Sequence, residues 1–366
     1  MEGLRLNVGA AFLGKDLEYV ERVNVVVVEE GEITHIGRGY DDGAEDYRGY
    51  VLFPPLVNSH SHLADSAFPE YGVNLTIKEA VGDPKSEKYR LFGSVGFERL
   101  REAIGKALRE SLRRGVFAVI DFREQGLEGL RLVQEFRKDR GIVYLALGRL
   151  DEFDEDHLMK LRELGDGYGL PSASVNEEEL RAIRRAFSDK LRAAHVSETL
   201  RHYLANDLER LLTSYDPNLI VHATRFTYKD FEGLSVPVAF CPRSNLWLGV
   251  GVPRIADAIR AGVKVLFGTD NAGLNTVNLW KDLELALLIT RAQEPTSDYS
   301  AEILKGATYR AYELLGLNWG LEEGREARFV LVPGEGVFEA INKRTALIKR
   351  ASERPLIAFN LRGVVG

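Results

Sequence analysis

Cysteine is almost absent from this chain of 366 residues; Cys241 is the single example. One thiol excludes an internal disulfide framework and fits a reducing compartment. Methionine occurs twice and tryptophan three times, and few thiol and thioether groups beside many Glu, Arg and Lys are compatible with a heat-adapted protein. No apolar run reaches the roughly 18 residues of a membrane-spanning helix, and no secretory signal is expected. Positive charge is not in excess: the formal net charge is -7 and the pI about 5.7. No nucleic-acid or membrane partner is therefore expected, a cytoplasmic location is, and a homo-oligomer stays open. The composition that remains, 45% hydrophobic and 28% charged, is that of a globular protein long enough for a barrel-sized domain and a smaller companion.

Along the chain, residues 25–28 form a β-branched run, Glu29-Glu30-Gly31 turns it, and residues 33–36 return, which is hairpin grammar. From Val51 an apolar run leads into His60-Ser61-His62, and further strand-like stretches follow at 116–120, 142–147, 168–170, 191–195, 219–222, 236–240 and 263–268. Helical periodicity separates most of them, as at 98–114, 177–187 and 279–291. Eight strands alternating with helices predict a parallel sheet closed into an α/β, (β/α)8 TIM barrel. Residues 328–334 and 337–360 return to strand character. They predict a small β-sandwich assembled from both ends of the chain: residues 1–50 and 321–366 for the small β domain, 51–320 for the barrel.

In such a barrel the chemistry lies at the carboxyl ends of the strands. Strand one ends at His60 and His62, two apart and so on one face of a strand, where a metal ion is the usual reason for paired imidazoles. Strand two ends at Asp121, Arg123 and Glu124; strand five at His195, with Glu198 three residues on; strand six at His222. Strand seven ends at Cys241-Pro242-Arg243-Ser244-Asn245 and strand eight at Thr269-Asp270. Four of the seven histidines thus fall at strand ends, a partition that chance rarely produces. For Glu198 alone the plain reading is a solvated carboxylate in the first turn of a helix; His195 beside it shifts the balance to catalysis.

These residues carry a resemblance. Residues 54–65 (PPLVNSHSHLAD), 195–199 (HVSET), 241–251 (CPRSNLWLGVG), 261–272 (AGVKVLFGTDNA) and the stretch from 307 to 332 are similar, in order, to the amidohydrolase superfamily. The branch resembled holds the cytosine, guanine and adenosine-type deaminases and the chlorohydrolases. The resemblance implies that His60, His62, His195 and Asp270 hold one divalent metal ion, zinc expected and iron also suited to such ligands. It implies that His222 bonds the attacking water or the attacked atom, that Glu198 shuttles a proton, and that Asp270 accepts the water's proton. Arg123, Arg225, Arg243 and Asn245 are the candidates for contact with a small-molecule substrate. No bridging lysine stands at residues 169–174, so a mononuclear site is expected. The function implied is a metal-dependent hydrolase that deaminates a heterocyclic or nucleoside-like amine. Two alternatives stand beside it: hydrolysis of a cyclic amide or of a C–Cl bond on a ring, and a barrel without catalysis that serves as a binding protein. The short stretch between His195 and His222 also raises the expectation of a distorted or partly open barrel.

Overall fold

The structure is a computed structural model describing residues 3–28, 31–82, 84–139, 141–360 and 363–365; Glu29 and Glu30 of the expected hairpin turn lie outside the described residues. In chain order the first four strands are β1 (Leu4–Leu13), β2 (Glu18–Val27), β3 (Ile33–Arg38) and β4 (Glu45–Phe53). The next nine are β5 (Leu56–His62), β6 (Val116–Arg123), β7 (Val143–Gly148), β8 (Gly167–Leu170), β9 (Leu191–Val196), β10 (Leu219–His222), β11 (Val238–Phe240), β12 (Val265–Phe267) and β13 (Asp270–Asn271). The last three are β14 (Phe329–Pro333), β15 (Ile357–Asn360) and β16 (Gly363–Val365).

The terminal strands form one sheet in the order β16-β15-β14-β4-β1-β2-β3. Its neighbours run antiparallel except β1 and β4, which are parallel. Strand alternation divides its apolar side chains between two cores. Val51, Phe53, Val330 and Val332 face the barrel, while Leu52, Phe329 and Leu331 face a smaller core with Val23, Val25 and Ile33. In β1 the alternation is reset. Leu6 and Val8 belong to the small core, the register against β4 then shifts between Val8 and Ala10, and Ala10 and Phe12 turn to the barrel side. Across the shift β1 advances two residues and β4 four, an irregularity of the kind that re-aims side chains.

Two expectations are corrected. The apolar run from Val51 is not one strand: Val51, Leu52 and Phe53 close β4, and the barrel begins only at Leu56. Pro54 and Pro55 lie between and offer no N–H to a ladder, so the chain changes sheets there. Residues 337–360 are not all strand either, since Lys343–Ala351 is a helix whose start is capped by Asn342 accepting from the Thr345 amide at 2.9 Å. It buries Ala346, Leu347, Ile348 and Ala351 and packs on the helix Leu279–Gln293. The consecutive apolar residues 346–348 imitate a buried strand, an ambiguity that periodicity cannot resolve over so short a run.

The barrel sheet runs β12-β11-β10-β9-β8-β7-β6-β5-β13. Its two ends, β12 and β13, are successive halves of the eighth strand. The first half pairs in parallel with β11 and the second with β5, so the strand closes the barrel by changing neighbours midway. Between the halves, the Asn58 side chain accepts from the Thr269 amide at 3.0 Å and donates to the Thr269 hydroxyl at 2.8 Å. Gly268 is required at this crossing, because a Cβ there would stand 2.6 Å from the His60 carbonyl oxygen and 2.8 Å from its Cβ. The trimmed crossover between His195 and His222 leaves the barrel undistorted there: helices Leu200–Leu204 and Asp207–Ser214 fill it, and β9 and β10 pair without a register shift. No described helix is long and apolar enough to cross a membrane.

Candidate active site

The strand ends converge as the fold requires. His60 and His62 come from the end of β5, His195 from β9, His222 from the last position of β10, and Asp270 from the first of β13. The His60 ring centroid lies 4.8 Å from that of His195, 5.0 Å from that of His62 and 5.5 Å from that of His222. Phe122, inward on β6, supports them from below with its ring 4.4 Å from His60. Two of these residues hold backbones that side chains disfavour: φ is 76° at His222 and 57° at Asp270. Such conformations cost of order 1–3 kcal/mol each and persist where surrounding structure imposes them, most often at functional sites.

The donor atoms suit a metal ion. His60 Nε2 is 3.2 Å and His62 Nε2 3.6 Å from Asp270 Oδ1. Bond lengths of about 2.0–2.2 Å to a tetrahedral zinc ion place its ligand atoms roughly 3.4 Å apart. The ligand atoms of His60, His62 and Asp270 fall within 4.8 Å of one another, as do those of His60, His195 and His222. The far sides of two rings are held. His195 Nδ1 meets the Leu170 carbonyl at 3.0 Å, and His62 Nδ1 meets Glu124 Oε1 at 2.7 Å. With those nitrogens donating, each Nε2 keeps its lone pair. The buried His60 Nδ1 has no partner.

Protonation states agree with a ligand set. Burial pushes the His60 imidazole down to about 4 against the opposing pull of Asp270, and pushes His222 down to about 3. Burial, with the neighbouring histidines adding to it, also holds His195 well below the ordinary range. Asp270 resists its own burial because His60, His222 and His62 favour the anion, and its carboxyl is held well below the usual value. At neutral pH these are neutral imidazoles and one carboxylate, the forms that bind a divalent ion. His60 and Asp270 are thus a neutral–anion contact, not an ion pair.

Glu198 behaves oppositely. Burial, reinforced by the negative charge of Asp270, raises its carboxyl to about 8. Its Oε1 lies 3.6 Å from His222 Nε2, too far for a hydrogen bond. With His222 neutral, the two carry no ion pair, and the carboxyl keeps its proton at pH 7. Its atoms and those of His222 and Asp270 share one 4.8 Å space. The Glu198, His62 and Asp270 side chains keep 13%, 12% and 7% of their surface exposed while His60 has none, so the cluster opens to solvent on their side.

The four candidate substrate residues divide. Arg123 is wholly buried between Asp121 at 3.5 Å and Glu124 at 3.9 Å, with no surface for a substrate to touch. Arg243 is committed to Asp282 at 2.6 Å and to the Thr276 carbonyl at 2.7 Å, which ties the loop after strand seven to the helix Leu279–Gln293. Arg243 is thus engaged as a structural cation, whereas Arg123 is buried with its guanidinium nitrogens lacking hydrogen-bond partners. Asn245 stands behind His222, its Nδ2 3.1 Å from His222 Nδ1. With Nδ2 donating, the His222 proton sits on Nε2, towards Glu198. Arg225 is half-buried, follows β10 by three residues, lies against Gly251 and has a buried Nε without a partner; it remains the candidate for substrate contact. Two contributors went unread in the sequence. Ser244 donates to Asp270 Oδ2, and its only signal was its place after strand seven. Lys88 reaches Glu124 at 2.5 Å and Asp65 at 2.9 Å from the long segment after strand one, where nothing in its spacing marked it.

Comparison with known proteins bears on this site. The sequence profile described as the amidohydrolase family matches residues 51–354. The chain belongs to the amidohydrolase family. It is therefore a hydrolase, and its His/Asp cluster is of a kind compatible with metal. Among the relatives of this amidohydrolase, an uncharacterised protein of Methanocaldococcus jannaschii is 28% identical over 93% of this chain and 94% of its own length. The 5-methylthioadenosine/S-adenosylhomocysteine deaminase of Thermotoga maritima is 26% identical over 89% of this chain and 84% of its own. An adenosine deaminase of Xanthomonas campestris with bound zinc superposes with a TM-score of 0.84 at 19% identity, covering 99% of this chain and 92% of that one. The zinc complex of atrazine chlorohydrolase from Arthrobacter aurescens gives 0.81 at 20% identity, with 99% and 94% covered. At such identities these structures speak to the fold, which is that of the amidohydrolases.

Proposed function

We propose that this amidohydrolase removes an amino group from a heterocyclic or nucleoside-like amine, with one divalent ion, zinc the best fit, held by His60, His62, His195 and Asp270. The observation that carries the reading is the placement of Glu198 in the space shared by Asp270 and His222, where burial and the charge of Asp270 raise its carboxyl to about 8. A bound divalent ion would supply water of lowered pKa at neutral pH. The chain's own groups do the rest. Asp270, anionic, accepts the proton of the attacking water. Glu198, whose carboxyl is raised to about 8, gives its proton to the nitrogen of the substrate. A C–O bond forms, the C–N bond breaks, ammonia leaves, and the proton held by Asp270 returns to Glu198 in the same space. His222, neutral with its Nε2 proton towards Glu198, bonds the oxygen of the attacking water. The deaminase relative from Thermotoga maritima supports the choice of an adenosine-type amine.

The test is a panel of adenosine-type nucleosides, amino-heterocycles, a cyclic amide and a chlorinated triazine, offered to zinc-reconstituted protein. Ammonia release from one of the amines is the expected result. Chloride release or ring opening without ammonia would replace deamination by the other hydrolytic reading. Protein that takes up no stoichiometric metal after reconstitution would favour a barrel that binds without catalysing.

A further inference from the structure

The segment between β5 and the helix Phe97–Arg113 is far longer than a connection needs. It folds as short helices, Leu63–Ala67, Ile77–Val81 and Glu87–Gly93. The third of these carries Lys88 into the protein behind the His/Asp cluster, where its side chain is 4% exposed. Its ammonium lies 2.5 Å from Glu124 Oε1, 2.9 Å from Asp65 Oδ2 and 3.4 Å from His62 Nδ1. The same Glu124 oxygen meets His62 Nδ1 at 2.7 Å. On the other side, Asp65 Oδ1 accepts from Tyr71 at 2.9 Å and from Asn271 at 2.9 Å. Asn271 directly follows Asp270. An unbroken arc therefore runs from His62 through Glu124, Lys88 and Asp65 to the neighbour of Asp270. His62, Asp65 and Glu124 are themselves close enough to hold an ion, but the Lys88 ammonium already fills the cation position between the two carboxylates.

We propose that Lys88 and Glu124 are positioning residues for the metal centre: Lys88 holds Glu124 against His62 Nδ1 and so keeps His62 Nε2 aimed at the ion shared with Asp270. The proposal rests on the metal site of the preceding section. A carboxylate on the distal nitrogen of a ligating histidine fixes its tautomer and ring orientation and raises its basicity. Without Lys88 no ammonium would bridge Glu124 and Asp65, and Arg123 faces Glu124 only from 3.9 Å on its other oxygen. Like charges would drive the two carboxylates apart, and the Glu124 contact with His62 would loosen.

The test measures zinc affinity by chelator competition, and the visible spectrum of the cobalt-loaded protein, for the unsubstituted chain, Glu124→Gln, Lys88→Met and the double variant. Glu124→Gln and Lys88→Met should each weaken zinc binding about 10- to 100-fold and shift the cobalt bands. Because Lys88 acts through Glu124, the double variant should bind zinc no more weakly than Glu124→Gln alone. Losses that multiply in the double variant, or an unchanged affinity and spectrum in Lys88→Met, would overturn the proposal. Should Lys88→Met not fold, the isosteric Glu124→Gln decides, and unchanged affinity there overturns it equally. Unsubstituted protein that binds no metal would instead bring down the reading of the site, and this proposal with it.

Discussion

Ser244 donates its hydroxyl to Oδ2 of Asp270 while Oδ1 of the same carboxylate faces His60 at 3.2 Å. The two oxygens have separate duties. One is held by the loop after strand seven, and the other is left to the histidines. A carboxylate at a left-handed backbone position, φ 57°, needs such a tether to keep its direction. Asp270→Asn should abolish hydrolysis and remove most bound metal, because an amide is a poor ligand for zinc. Ser244→Ala, which loses a hydrogen bond to a charge worth roughly 1.5–3 kcal/mol, should lower metal affinity about tenfold or somewhat more. Atomic absorption beside turnover checks both.

Glu198 should separate chemistry from metal binding. It stands outside the set of His60, His62, His195 and Asp270, and its carboxyl is raised to about 8. Glu198→Gln should cut kcat by about 10²–10⁴-fold, the usual worth of a positioned acid or base, with metal content unchanged. Metal loss on this substitution would place Glu198 among the ligands instead.

The buried imidazoles should make the metal-free protein sensitive to mild acid. In the fold, His60 and His222 hold their neutral forms down to about 4 and about 3, against an ordinary value of 6.5. As pH falls below 6.5 the unfolded chain takes up protons that the folded chain refuses. Stability from these rings is therefore full above that value and declines as pH drops towards 3–4, by up to about 1.4 kcal/mol per pH unit for each ring. Glu198, raised to about 8, gains stability over the same span and offsets one ring, while His195 adds to the loss. Urea midpoints from about pH 7 to about pH 5 should still fall, and fall less steeply in His222→Asn. A flat profile would mean that the site admits protons freely.

Arg225 and Arg243 should answer differently to the same change. Arg243→Met severs the contacts to Asp282 and Thr276 and leaves a fully buried carboxylate without its cation, so the denaturation midpoint should drop markedly. Arg225→Met should leave the midpoint nearly unchanged and raise KM. Steady-state kinetics paired with urea titration distinguishes the two outcomes.

The barrel and the side chains that converge at its open end were legible because one physical rule writes them twice. A buried parallel strand reads as an apolar run, and the polar residue that ends it marks the catalytic face; residues 219–222, LIVH, state both facts in four letters. What was not legible depends on partners distant in sequence. Lys88 lies 36 residues from Glu124, on a helix too short to show a period. Arg123 and Arg243 read as substrate contacts because strand ends usually face the cleft, and only packing shows Arg123 buried beside Asp121 and Arg243 bound to Asp282. Residues 346–348 read as strand because three apolar neighbours in a row carry no period at all.

The eighth strand has a consequence for the chain as a whole. Asp270 sits just beyond the crossing at Gly268, on the half that pairs with β5, and the His60 and His62 that face it end β5 itself. An ion gripped from both sides would be a clasp across the hoop's join, tying positions 210 residues apart. In loop-closure terms a permanent tether over that span restricts the unfolded chain by about 5 kcal/mol. A protein with one cysteine cannot make a disulfide of its own, and this clasp would give it the same constraint in a reversible form.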